Sequence, residues 1–251
     1  MAELLGPTDP KPFLKLQGDK TVPLLVICDH ASNAVPGLLD NLGIDAGLLE
    51  THIAWDIGAR RVSERIVERT GGTGVFCGVS RLVIDSNRPL RNATLVPEVS
   101  HGIRIPANLG LSREQVGERI AQIYLPYHFA IVESLAEFAA QGVEPFVLSV
   151  HSCTPELNGI PRPWAIGIAH SPDETSSRPL LNALQDLGEF EVGDNEPYAV
   201  DEDDYSILVH GLSRGLKHAL VEIRQDQIRE EAGAVAWGDK LYDALRQLSL
   251  I

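Results

Sequence analysis

Three short apolar runs, Val22–Cys28, Phe146–Val150 and Ala219–Arg224, most constrain what this chain can fold into. Each is rich in Val, Leu and Ile, and the stretches between them show helical spacing. Strands alternating with helices predict an α/β fold with a mainly parallel or mixed sheet covered by helices on both faces. Each run also leads into polar side chains: Asp29-His30-Ala31-Ser32-Asn33, His151-Ser152-Cys153-Thr154 and Gln225-Asp226. In open α/β sheets ligands sit beyond the carboxyl ends of strands, so these three places are the first candidates for chemistry.

The intervening pattern gives the remaining elements. Leu48, Leu49, Ile57, Val62, Ile66 and Val67 recur at helical spacing from Asp45 to Thr70, where Gly71-Gly72 stops the run. Strands are expected over Thr73–Val79, 164–168 and 190–192, a short extended piece over Arg81–Asp85 and a structured loop over 91–111. Ser112 and Gln115 form a capping box for a helix reaching Ala140, which Pro126 should kink. A helix near 176–187 and a C-terminal helix with Trp237, Leu241, Leu245 and Leu248 on one face complete the count. Residues 1–20 lack periodicity and read as a peripheral segment before the first strand. No composition break divides the 251 residues, so one domain is expected.

Charge narrows the partners. A net charge of −14 without a basic stripe argues against nucleic acid. No stretch has the length of a membrane span or the layout of a signal peptide, and Cys28 and Cys77 lie in apolar runs as buried thiols; a cytoplasmic protein is the expectation. The acidic run Asp201–Asp204 reads as a solvated loop. Arg81, Arg88, Arg91, Arg104, Arg162 and Arg224 all fall near strand ends or in loops, which concentrates positive charge for a small anionic substrate.

His30 and His151, each following an aliphatic strand, are candidate metal ligands. Asp56 is the candidate third ligand, with His52 and Asp29 as competitors; on a helix His52 and Asp56 would share a face. A His₂-carboxylate set with an open position suits catalytic zinc, and imidazole with carboxylate also suits Mn, Fe or Co. Glu222 sits within a buried strand on the same side as Arg224, either as an ion pair with it or as a general base beside a substrate-binding arginine. Asn87-Arg88 before Pro89 suits planar carboxylate recognition. No nucleophile signature surrounds Cys153, and no glycine-rich phosphate loop is present.

In chain order, Asp29–Asn33, His52–Asp56, Ser80-Arg81 with Asp85–Pro89, His151-Ser152, Gly193–Tyr198 and Glu222–Asp226 resemble the N-formylglutamate amidohydrolase family. The resemblance implies a phosphorylase/hydrolase-like fold related to zinc carboxypeptidases and aspartoacylases, and metal-dependent hydrolysis of the amide of an acidic N-acyl amino acid. It implies His30 and His151 as metal ligands, Asn87 and Arg88 as holders of the substrate carboxylate, and Glu222 as general base. Carboxypeptidase-like enzymes place a glutamate three residues after the first histidine, where this chain has Asn33. Within this scheme Arg81 stabilises the oxyanion, Arg224 assists in anchoring the substrate, and Tyr198 and His210 either close over it or fix the loop in a structural role.

Overall fold

The three apolar runs lie side by side in the computed structural model, which describes residues 4–170 and 174–248. The strands are β1 (Phe13–Leu16), β2 (Leu24–Cys28), β3 (Thr73–Cys77), β4 (Val99–Ser100), β5 (Ile103–Arg104), β6 (Phe146–Cys153), β7 (Glu156–Leu157), β8 (Ile160–Pro161), β9 (Ile166–Ala169), β10 (Val192–Asp194) and β11 (His218–Arg224). The helices are α1 (Ala46–Leu49), α2 (Ala59–Thr70), α3 (Arg113–Arg119), α4 (Leu125–Ala140), α5 (Arg178–Asp186), α6 (Tyr205–His210), α7 (Gln225–Ile228) and α8 (Glu231–Gln247).

Seven strands form one mixed sheet in the order β1-β3-β2-β6-β11-β9-β10. The central four, β3, β2, β6 and β11, run parallel, while β1 and β9 pair antiparallel to their inner neighbours. From β2 the chain moves outward to β3, then crosses back to β6 on the other side. The β2/β6 junction is therefore a switch point, where an open α/β sheet leaves a crevice at its carboxyl edge.

Side-chain alternation along β2 explains the two covered faces. Leu24, Val26 and Cys28 join the core shared with α2, α5 and α8, whereas Leu25 and Ile27 join the core under α4 and α6. A third apolar cluster, including Leu42, Ile53, Leu82, Ile84 and Tyr124, packs the loops gathered above the strand ends. No helix among the described residues is long and apolar enough to cross a membrane.

Several elements differ from expectation, each for a local reason. The helix expected over Asp45–Thr70 is broken: α1 ends at Leu49, turns follow, and α2 starts only after Gly58, whose φ is 82°. Strand β6 runs on through His151 to Cys153, because β11 pairs with it along that whole length. Arg81–Asp85 forms turns, with Val83 N donating to Ser80 O at 2.9 Å. The Ser112/Gln115 capping box forms as expected, but the long helix absorbs Pro126 through a π turn over Ile120–Tyr124. Within the segment expected to be peripheral, Phe13–Leu16 pairs with β3 as an edge strand. The loop over 91–111 carries the small β4–β5 hairpin.

Gly58 sets the junction that carries Asp56. A Cβ there would stand 2.2 Å from the Ile228 carbonyl oxygen, in addition to occupying a left-handed backbone region. Gly58→Ala is accordingly expected to cost about 2 kcal/mol or more in a denaturant titration. A loss within a few tenths of a kcal/mol would show that this junction yields.

Candidate metal centre and active site

His30 lies two residues past the end of β2, and His151 lies on the adjacent β6. The turn after α1 brings Asp56 between them. Its backbone N–H donates to the His30 carbonyl at 2.9 Å, and the preceding turn is pinned by Ser80 Oγ donating to Ala54 O at 2.8 Å. Asp56 Oδ2 is 3.3 Å from His30 Nδ1 and 2.9 Å from His151 Nδ1. One donor atom from each of the three buried residues lies within 4.8 Å of the others, a spacing that can hold a metal ion.

Carboxylates occupy the far sides of both imidazoles. His30 Nε2 is 2.7 Å from Asp85 Oδ1, and His151 Nε2 is at ion-pair distance, 3.3 Å, from Asp29 Oδ2. This pattern fixes ring orientation and turns both Nδ1 atoms toward Asp56, as outer carboxylates do around metal-ligating histidines. Asp29 is itself held by the Tyr127 hydroxyl at 2.9 Å and Ser206 Oγ at 2.5 Å, so it backs His151 instead of joining the cluster. His52 does not share a face with Asp56, because residues 50–58 are not helical; it stands at the cavity wall.

The electrostatics follow from burial and pairing. Burial alone would raise the Asp56 and Asp85 carboxyls, but His30 beside both, with His151 and Arg81, holds them well below the usual carboxylate range. Asp29 is held at about 2, against its burial, chiefly by His151. Burial disfavours the His151 imidazolium, yet Asp29 and Asp56 raise it well above its ordinary value. Two imidazoles facing one shared carboxylate oxygen across an acid-backed hollow are a donor set suited to a divalent cation.

Glu222 pairs in register with His151 across β11 and β6, so both side chains emerge on one face. Its Oε2 is buried without a hydrogen-bond partner, and burial pushes the carboxyl up to about 7. The expected alternative of a Glu222–Arg224 pair does not form. Arg224 instead binds Asp226 through Nε at 2.7 Å and Nη2 at 3.1 Å, and donates to the Arg162 carbonyl at 2.8 Å.

A cavity of about 320 Å³ joins His30, Asp56, His151 and Glu222 to Arg81, Asn87, Arg88 and Tyr198. Arg81 spans the cluster, with Nη1 3.4 Å from Asp56 Oδ1 and Nη2 3.1 Å from Asp85 Oδ2. Asn87 is clamped at both ends of its amide, donating to Asp204 Oδ1 at 3.1 Å and accepting from Ser206 N at 2.9 Å. Arg88 Nη1 donates to the Asp203 carbonyl at 2.9 Å. The Tyr198 hydroxyl meets Arg162 Nη2 at 2.6 Å, and Tyr198 lies on a loop that presses on Gly167 and Gly193, where a Cβ would meet the Glu196 carbonyl oxygen at 1.8 and 2.4 Å.

Arg224 and His210, both expected at the substrate, do not line this cavity. His210 is buried behind it, its Nε2 2.9 Å from His128 Nδ1, while His128 Nε2 lies 3.0 Å from the Ser86 carbonyl. A carbonyl only accepts, so His128 carries its proton on Nε2 and accepts from His210 Nε2–H. Burial lowers His128 to about 4 and, with His128 adding to it, His210 to about 3. Both are thus expected to stay neutral, and their ring NMR signals should not shift between pH 8 and about 5; movement near pH 6.5 would contradict a buried neutral pair.

Sequence reasoning missed two features. The acidic run is not simply solvated: Asp201, Asp203 and Asp204 line the cavity, and Asp203 and Asp204 receive Asn92 and Asn87. His101 reaches the same cavity from the β4–β5 turn, signalled in sequence only by a His-Gly pair between short extended residues. Cys153 also lines the cavity, but burial pushes its thiol up to about 12, so the thiolate a cysteine hydrolase requires is disfavoured.

Fold and site together define an open α/β protein with a candidate metal centre at its switch point. The chain belongs to the N-formylglutamate amidohydrolase family, whose model matches residues 22–229, and this membership supports amidohydrolase activity. Among solved structures it is similar to the gene product Atu2144 from Agrobacterium tumefaciens, with 29% identity, 98% of this chain and 99% of that chain covered and a TM-score of 0.91. It shares its fold with the N-formylglutamate amidohydrolase from Ralstonia eutropha JMP134, at 19% identity, 95% and 97% coverage and a TM-score of 0.66. A search of curated proteins finds no match.

Proposed function

We propose that the protein hydrolyses the acyl amide of a small anionic N-acyl amino acid such as N-formylglutamate, using a divalent metal held by His30, Asp56 and His151. Zinc is the preferred ion for this nitrogen and oxygen set, and Mn, Fe or Co fit the same ligands. The observation that carries the reading is half-buried Glu222, whose Oε2 is buried without a hydrogen-bond partner, on the strand beside His151 and in the same cavity as the three clustered donors. Such a cation, when bound, supplies Lewis acidity to the amide carbonyl and acidifies water in its coordination sphere.

Glu222 takes a proton from the attacking water and delivers it to the departing amine nitrogen. A carboxyl near 7 suits both halves of that transfer at neutral pH. Arg81 faces the negative charge that develops on the carbonyl oxygen. Arg88 receives a substrate carboxylate, with Asn87 holding its turn in place and Tyr198 walling the far side. Arg224 and His210 receive no substrate role, since their side chains serve Asp226 and His128. The spread of site residues from His30 to Glu222 supports reading the chain as one metallohydrolase domain.

A panel of N-formyl, N-acetyl and N-succinyl amino acids and short peptides tests the reading. Turnover of acidic N-formyl substrates supports it, turnover of another acyl class moves the substrate to that class, and no turnover of any amide by metal-loaded protein contradicts it. The carboxylates behind the histidines make a further expectation. Asp85→Asn should weaken zinc binding roughly 10- to 100-fold in a competition titration while His30, Asp56 and His151 stay in place; unchanged affinity would mean that Asp85 does not orient His30.

A further inference from the structure

A second cavity of about 260 Å³ opens beside the first, and His52, Arg81, Arg88 and His101 line both. In a chain of net charge −14, this shared wall carries two guanidiniums and two imidazoles. The one carboxylate lining the chamber, Asp85, is already occupied by His30, Arg81 and the Asn87 N–H. The wall facing the chamber is therefore short of negative charge.

Its two imidazoles also have free donors. Among the described residues neither His52 nor His101 has a hydrogen-bond partner for its ring; the two rings meet edge to face, with centroids 4.7 Å apart. Among the described residues the only side-chain hydrogen bond from Arg88 goes to the Asp203 carbonyl. A neutral imidazole still offers one N–H, so these rings can receive an oxyanion without being charged.

The backbone gives an independent indication. His101 and Gly102 form the two-residue turn of the β4–β5 hairpin, with φ of 47° and 78°. Two positive φ values in such a turn favour Asn-Gly or Gly-Gly, and histidine, although it enters this region more readily than most side chains, is less favourable there than glycine. A strained side chain held over a cavity points to a use for that side chain.

We propose that His101, backed by His52, is a specificity-determining residue that closes the side chamber over a second carboxylate, the one carried on the substrate's amino acid side chain. The proposal rests on the amidohydrolase reading above. Arg88, which borders both cavities, takes the first carboxylate, and the imidazole N–H groups receive the second. Apolar Ile53, Leu82 and Val99 around the chamber accommodate the methylenes between them.

The test compares N-formylglutamate with N-formylglutamine, which keeps the shape and removes the charge. Wild-type kcat/KM is expected to favour glutamate by roughly tenfold or more, the scale of one or two hydrogen bonds to a charged group. His101→Gly, which relaxes the turn and should not lower Tm, is expected to cut that preference by about tenfold, mainly through KM. His101→Asn, which tolerates the turn and retains a donor, should keep part of the preference. No preference in the wild type, or an equal loss on both substrates in His101→Gly, overturns the proposal. If the wild type hydrolyses neither, the wider acyl panel decides the amidohydrolase reading on its own, and calorimetric binding of glutarate against glutaramate decides the chamber. Tighter glutarate binding that His101→Gly weakens upholds it, and equal binding of the two overturns it.

Discussion

Glu222→Gln is expected to lower kcat by roughly 10²- to 10⁴-fold on any amide the protein cleaves, with metal content unchanged. The substitution keeps the shape of a side chain that already lacks a partner at Oε2, so packing is preserved and only proton transfer is removed. It also has a stability signature in metal-free protein. Burial raises the folded carboxyl from 4.5 to about 7, so the folded state holds a proton that the unfolded state releases between those values. Wild-type stability is therefore complete below pH 4.5 and declines as pH rises toward 7. Glutamine escapes that decline, and the variant should be the more stable protein at pH 8 and about equal at pH 4.5 in urea titrations. A variant that retains full kcat would remove Glu222 from the reaction.

Asp56→Ala should be the most damaging substitution in the site. The Asp56 carboxylate receives His30, His151, Arg81 and the Ser152 N–H. Its removal leaves cationic groups buried together, which costs about 3–5 kcal/mol when one partner of a buried pair is deleted. Because the folded carboxyl lies far below its ordinary 3.8, this stabilisation is complete above that value and fades as pH falls below it. The loss should therefore be full at pH 7 and shrink in acid. Zinc gives a second readout. At a thousand times its Kd, zinc should raise the wild-type Tm by roughly 10 °C and leave Asp56→Ala unmoved. Equal zinc stabilisation of both proteins would place the metal elsewhere.

Much of this site is legible in the chain because strand ends are legible. The Val- and Leu-rich runs point to His30, His151 and Glu222, and the structure seats all three at one sheet edge. Asp56 joins them by a different route from the one its spacing suggests. Apolar residues on both sides of 50–58 mimic a continuous helix, and only the positive φ of Gly58, packed against Ile228, reveals the break. Asp85 behind His30 and Asp29 behind His151 depend on long-range packing and leave no local pattern. The acidic run misleads for a related reason: charge density suggests solvation, whereas Asn87 and Asn92 lie more than a hundred residues earlier in the chain and draw Asp204 and Asp203 inward. Arg224 and Glu222 do share a strand face in sequence, but Asp226, two residues on, offers Arg224 a bidentate partner at lower desolvation cost.

The central claim is that His30, Asp56 and His151 hold one catalytic metal ion. Elemental analysis of untagged protein after zinc loading and dialysis, on the wild type and on His30→Ala and His151→Ala, tests it directly. About one zinc per chain in the wild type, lost in both variants, is the result expected of a three-residue site with an open position. A wild type that emerges without metal after loading, or variants that keep it, would contradict the claim.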